Sequence, residues 1–154
     1  MGLWTRIRTR TRGPNRALRE ELSSAYLDEL RMARQFRLHA ERVPYPNLGA
    51  AMRGLGDQEE AHAALLHAEL ARLGSAPGAS DGSSPPTGRN HWERLTVDFA
   101  DLRAKIKRYI ELAQHWDIEH PDTAALFGRV AREETTMCRV LGEMIARSDP
   151  HAQD

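Results

Sequence analysis

Apolar residues recur every three or four positions through four stretches of the chain, and each stretch predicts an amphipathic helix. In the first, residues 16–43, the stripe is Leu22, Tyr26, Glu29, Ala33, Phe36 and Ala40. The second, capped by Asn47 and ending at Leu73, carries Leu48, Met52, Leu55, Leu66, Leu70 and Leu73. The third opens after Asn90 and shows Leu95, Phe99, Leu102, Ile106, Tyr109, Ala113 and Trp116. The fourth, residues 123–147, has Leu126, Val130, Glu133, Met137, Val140 and Met144.

Breakers separate these stretches. Pro44-Tyr45-Pro46 is a turn too short for anything but an antiparallel hairpin. Asn90-His91-Trp92-Glu93 has the form of a capping box, and His120-Pro121-Asp122 is the last break, with Asp122 as cap. Between the second and third helices lie residues 74–90, seventeen positions rich in Gly, Ser and Pro. Fully extended they reach about 55 Å. A 26-residue helix is about 39 Å long, so this linker can cross a whole bundle.

Acids interrupt three of the stripes. Glu29, Glu59 and Glu133 fall inside them, and His62 joins Glu59. A carboxylate facing a core is costly unless something pairs with it. A Glu and a His three residues apart on a helix project close together and can hold one metal ion.

The two halves also repeat. Residues from Ala50 align without a gap on residues from Ala124, placing Glu59 on Glu133 and Glu60 on Glu134. The first and third helices align at an offset of 72, so Glu29-Leu30-Arg31 falls on Asp101-Leu102-Arg103. The fold expected is therefore all-α: an antiparallel four-helix bundle of two repeated hairpins joined by a long crossover. It spans residues 16–148, with 1–15 as an arm and 149–154 as a tail.

Composition narrows the function. Hydrophobic residues are 40% and aromatics 6%, enough for a bundle core and poor in sheet formers. The formal net charge is zero, which argues against a general nucleic-acid binder. The single cysteine, Cys138, excludes an internal disulfide and a thiolate zinc cage. No apolar run approaches a membrane span or a secretory segment, so a cytoplasmic location is expected and a membrane partner is not. Residues 1–16 hold five arginines and no acid. The arm reads as a disordered basic segment, or as a contact for an anionic surface or a protein partner, or as an organelle presequence, which is likewise Arg-rich and acid-free.

The pattern resembles the ferritin-like superfamily, the group with bacterioferritins and rubrerythrins. The likeness covers roughly residues 16–147 and is strongest at Glu29-x6-Phe36 with His39-Ala40, followed thirty residues on by Glu59-Glu60-Ala61-His62. It implies a carboxylate/histidine centre at mid-bundle holding one or two iron ions, with manganese as the alternative. The metal ligands carried over are Glu29, Glu59, His62 and Glu133, with Asp101 from the third helix. Asp98 competes with Asp101, because Asp101 lies about 100° from Leu102 around the helix. The resemblance further implies a homo-oligomer and an oxidoreductase, a ferroxidase or a handler of oxygen or peroxide. The second half departs from the family, since Thr136 stands where a second His is expected. The competing expectation is a scaffold or protein-interaction module without a metal centre, its acids neutralised by Lys105, Arg34 or Arg108. His39 is expected at the surface and His67 in solvent; His115 and His120 are assigned no chemistry.

Overall fold

Four helices account for nearly all of the computed structural model, which describes residues 14–80, 82 and 88–151. They are α1 (Pro14–Glu41), α2 (Pro46–Arg72), α3 (His91–Trp116) and α4 (Pro121–Ala146). The arm up to residue 13, most of the middle of the linker and the last three residues lie outside the described part. No helix among the described residues is long and apolar enough to cross a membrane.

The termini follow local chemistry. Pro46 and Pro121 each occupy the first turn of a helix, where a missing N–H costs nothing. The caps are therefore Tyr45 and His120, each two residues before the Asn47 and Asp122 expected. Asn90 does cap α3, its Oδ1 accepting the Glu93 N–H at 2.9 Å. The Glu93 carboxylate turns back to the Arg89 N–H, also at 2.9 Å. Gly74, at φ +68°, closes α2 in the left-handed region where a side chain would be strained.

Side-chain pairs give the helix directions. Trp116 meets Glu21, Lys105 meets Glu29 and Asp98 meets Gln35, so α1 and α3 run antiparallel. Thr123 meets Glu69 and Glu134 meets His62, so α2 and α4 do too. The short α1–α2 turn makes that pair antiparallel, and α2 therefore runs parallel to α3. The linker must return along the length of the bundle. Its start is tied to α1 by the Gly78 N–H donating to Ser23 Oγ at 2.7 Å. At its far end Arg94 donates to the carbonyls of Gly88 and Arg42.

The interior divides into two apolar blocks. One holds Leu18, Leu22, Leu66, Leu70, Tyr109, Trp116, Phe127 and Val130. The other holds Met32, Phe36, Met52, Leu55, Leu95, Leu102, Met137 and Leu141. Each fully buried side chain of this size stabilises the fold by about 1.5–3 kcal/mol before entropy is charged against it. Glu29, Glu59, His62, Lys105 and Glu134 fall, on every helix, between a residue of one block and a residue of the other.

Candidate metal centre

The centre is built at mid-bundle from one acid each of α1 and α4 and a Glu/His pair of α2. Glu29 of α1, Glu59 and His62 of α2, and Glu134 of α4 are buried, and one ligand atom from each lies within 4.8 Å of the others. His62 Nδ1 is 3.1 Å from Glu134 Oε1 and 3.6 Å from Glu29 Oε2. From α3 comes a cation. The Lys105 Nζ donates to Glu29 Oε2 at 3.0 Å and to Glu59, and lies 2.8 Å from Glu134 Oε1. The Tyr109 hydroxyl, one turn on, donates to Glu29 Oε1. Two carboxylate oxygens, Glu59 Oε1 and Glu134 Oε2, are buried with no hydrogen-bond partner.

These contacts set the protonation. Burial alone would raise the Glu29 pKa, but its neighbours Glu59 and His62, the Lys105 charge and the Tyr109 hydroxyl outweigh it and hold the carboxyl well below the usual range. Glu59 goes the other way. Burial pushes it well above the usual range, and the adjacent Glu29 and Glu134 carboxyls add to the push against Lys105. Burial would lower His62, yet Glu134 and Glu29 raise it to about 10. Lys105 stays charged because three carboxylates overcome its desolvation.

The residues named from the sequence do not all meet. Glu29, Glu59 and His62 come together. Glu133 stands at the rim, its side chain 44% exposed. It touches His62 Nε2 at 2.9 Å from outside and accepts from Arg129 at 2.8 Å. The buried acid of α4 is its neighbour Glu134. Phe127, Val130, Ala131, Glu134, Met137 and Leu141 form the inward face, about one residue round from the stripe through Leu126 and Val140. That heptad-like run is the signal that points to Glu134. Equating Glu59 with Glu134 also puts buried Met137, rather than exposed Thr136, at the place of a second His.

Asp101 lies one turn from Lys105, with its side chain 34% exposed. Gln35 Nε2 at 3.1 Å and Arg31 at 3.4 Å hold it there. Lys105, not an aspartate, faces Glu29 from α3. Asp98 is fully buried but belongs to a separate group, accepting from Gln35 at 2.7 Å and lying 2.9 Å from His39 Nδ1. His39 is thus buried against α3 instead of lying at the surface. Of the three cations considered, Arg108 pairs with Asp28 at 3.0 Å, Arg34 is exposed, and only Lys105 enters the centre. A cavity of about 360 Å³, lined by Gln58, Ala61, His62, Glu133 and Thr136, opens beside the imidazole.

No protein-family model and no curated protein matches the sequence. Solved structures match the fold. The dodecameric thioferritin of Bacteroides fragilis, a bacterioferritin-related protein, superposes with a TM-score of 0.78 at 18% identity over 86% of each chain. The bacterioferritin of Desulfovibrio desulfuricans, whose diiron site is known in different catalytic states, gives 0.78 at 22% identity, over 86% of this chain and 80% of that one. The chain therefore has the ferritin-like four-helix bundle fold of bacterioferritin-type proteins, with a buried carboxylate/histidine cluster at mid-bundle.

Proposed function

We propose that this is a metal-binding ferritin-like protein whose centre is held by Glu29, Glu59, His62 and Glu134. The observation that carries the reading is the convergence of four ligand atoms within 4.8 Å, with two of the carboxylates keeping an unpartnered oxygen. An unpartnered buried acceptor is costly, and a cation relieves it. Carboxylate and imidazole donors suit iron first, with manganese as the alternative. Iron, when bound, supplies one-electron redox chemistry; ferrous iron, oxygen or peroxide is the substrate class that follows. Glu133, at the cavity mouth, steadies His62 and offers a first carboxylate to an arriving ion. Tyr109 fixes Glu29 by its hydroxyl. The likeness to a dodecameric relative supports a homo-oligomer, and we place it in the cytoplasm.

Lys105 favours a second reading, in which the ammonium serves in place of metal and the bundle is a scaffold. Metal analysis separates the two. Protein purified without chelator should carry stoichiometric iron or manganese, and Glu59→Ala and His62→Ala should each lose it while remaining helical. A folded wild-type protein that stays metal-free after incubation with ferrous iron would establish the scaffold reading instead.

A further inference from the structure

Lys105 is buried to the same depth as the carboxylates around it, and its nitrogen contacts acids from three helices: Glu29, Glu59 and Glu134. That is where a cation bridging the helices would sit. We propose that Lys105 is a built-in cation occupying the place of one metal ion, so that the centre accepts a single divalent ion and not two. The inference rests on reading the cluster as a metal centre.

The charges agree with this. A ligating carboxylate or imidazole must shed its proton, so in the loaded centre three carboxylates against one ammonium leave two negative charges, which one divalent ion neutralises with His62 as a neutral ligand. The exposed Glu133 is already paired with Arg129 and does not change the balance. A second divalent ion would place two uncompensated positive charges between two apolar blocks, where burying charge is most expensive. The donors agree as well. Lys105 consumes one oxygen each of Glu29, Glu59 and Glu134, and Tyr109 consumes the other oxygen of Glu29. The oxygens left without a partner are Glu59 Oε1 and Glu134 Oε2; with the imidazole, released from its contact to Glu134 or Glu133, and one shared oxygen of Glu29, they are enough protein donors for one ion completed by water.

The test is equilibrium dialysis against manganese(II) and, without oxygen, iron(II), with helicity followed by circular dichroism. Three proteins are compared: wild type, Lys105→Glu and Lys105→Met. Wild type should saturate at one ion per chain. Lys105→Glu, which exchanges the ammonium for a fourth carboxylate, should bind two. Lys105→Met keeps the length of the side chain and should still bind one, at least tenfold more tightly, because no ammonium competes for the oxygens. Two ions on wild type, one on Lys105→Glu, or unchanged affinity in Lys105→Met would each overturn the inference. Should Lys105→Glu fail to fold, the affinity of Lys105→Met decides alone. No metal on wild type but two ions on Lys105→Glu would refute the metal-binding function while upholding the role of the lysine. No metal on any of the three would refute both.

Discussion

Glu29 and Glu59 touch the same ammonium but differ in everything else they meet. Glu29 has the Tyr109 hydroxyl and the approach of His62 besides Lys105, and these hold it as a carboxylate. Glu59 faces two other acids and keeps an orphaned oxygen, and burial favours its neutral form. In metal-free protein, Glu29→Gln should therefore cost about 3–5 kcal/mol, since it leaves buried cations short of a counter-charge. Glu59→Gln, close in shape and charge to the neutral acid, should cost about 1 kcal/mol or less. Urea denaturation in chelator reads both, and equal losses would remove the asymmetry. Glu29, Glu59 and His62 were legible in the sequence because a polar side chain inside an apolar stripe stands out by itself. His39 was not, because its burial depends on Asp98, a residue of another helix. Nor was the place of Lys105 settled: a lysine that neutralises a buried centre and one that reaches past it to solvent look alike in a helical pattern.

At the scale of elements, the four helices were legible because each carries a long stripe and a strong stop. The face of α4 was not, because its apolar arc is wide. Leu126, Val140 and Met144 are partly buried along one edge while Phe127, Ala131 and Leu141 line the interior, so two stripes one residue apart both satisfy a helical period. The gapless repeat then selected the edge containing Glu133. The α1–α2 packing contains a sharper constraint. Gly49 and Gly56 are both buried, and a Cβ on either would lie 3.1 Å from a backbone oxygen of α1, that of Ala40 or of Ala33. Gly54, two residues from Gly56, meets nothing within 4 Å. Gly54→Ala should gain about 0.5–1 kcal/mol from helix propensity alone, raising Tm by about 2–4 °C per kcal/mol for a chain of this length. Gly56→Ala has the same propensity gain, but it must displace backbone, and overpacking of that kind costs about 1–3 kcal/mol. Opposite signs in the two thermal melts are expected; a stabilised Gly56→Ala would mean that α1 and α2 separate without cost.

For the whole molecule, the crossover decides which helix faces which. The acid of α1 meets the lysine of α3, and the histidine of α2 meets the acid of α4, only because α3 starts at the end of the bundle opposite the one where α2 stops. The two apolar blocks hold that arrangement from either side, and the polar layer between them depends on its register. A tight turn in place of the linker would reverse α3 and α4 and carry Lys105 away from Glu29. The linker's length is therefore a structural requirement, not slack. Removing residues 83–85 leaves fourteen positions, which reach about 46 Å and still exceed a bundle of about 39 Å. The change in closure entropy is only a few tenths of a kcal/mol, so the protein should remain folded with the same subunit count. Removing residues 81–87 leaves ten positions, reaching about 33–36 Å, too short to cross. The second hairpin should then pair with the first hairpin of another chain, giving a swapped species of doubled mass, or the protein should lose its cooperative melt. Light scattering with thermal denaturation tells these apart. Native mass and melting point in the seven-residue deletion would show that α2 and α3 are joined at the same end of the bundle, against the side-chain pairs that set their direction.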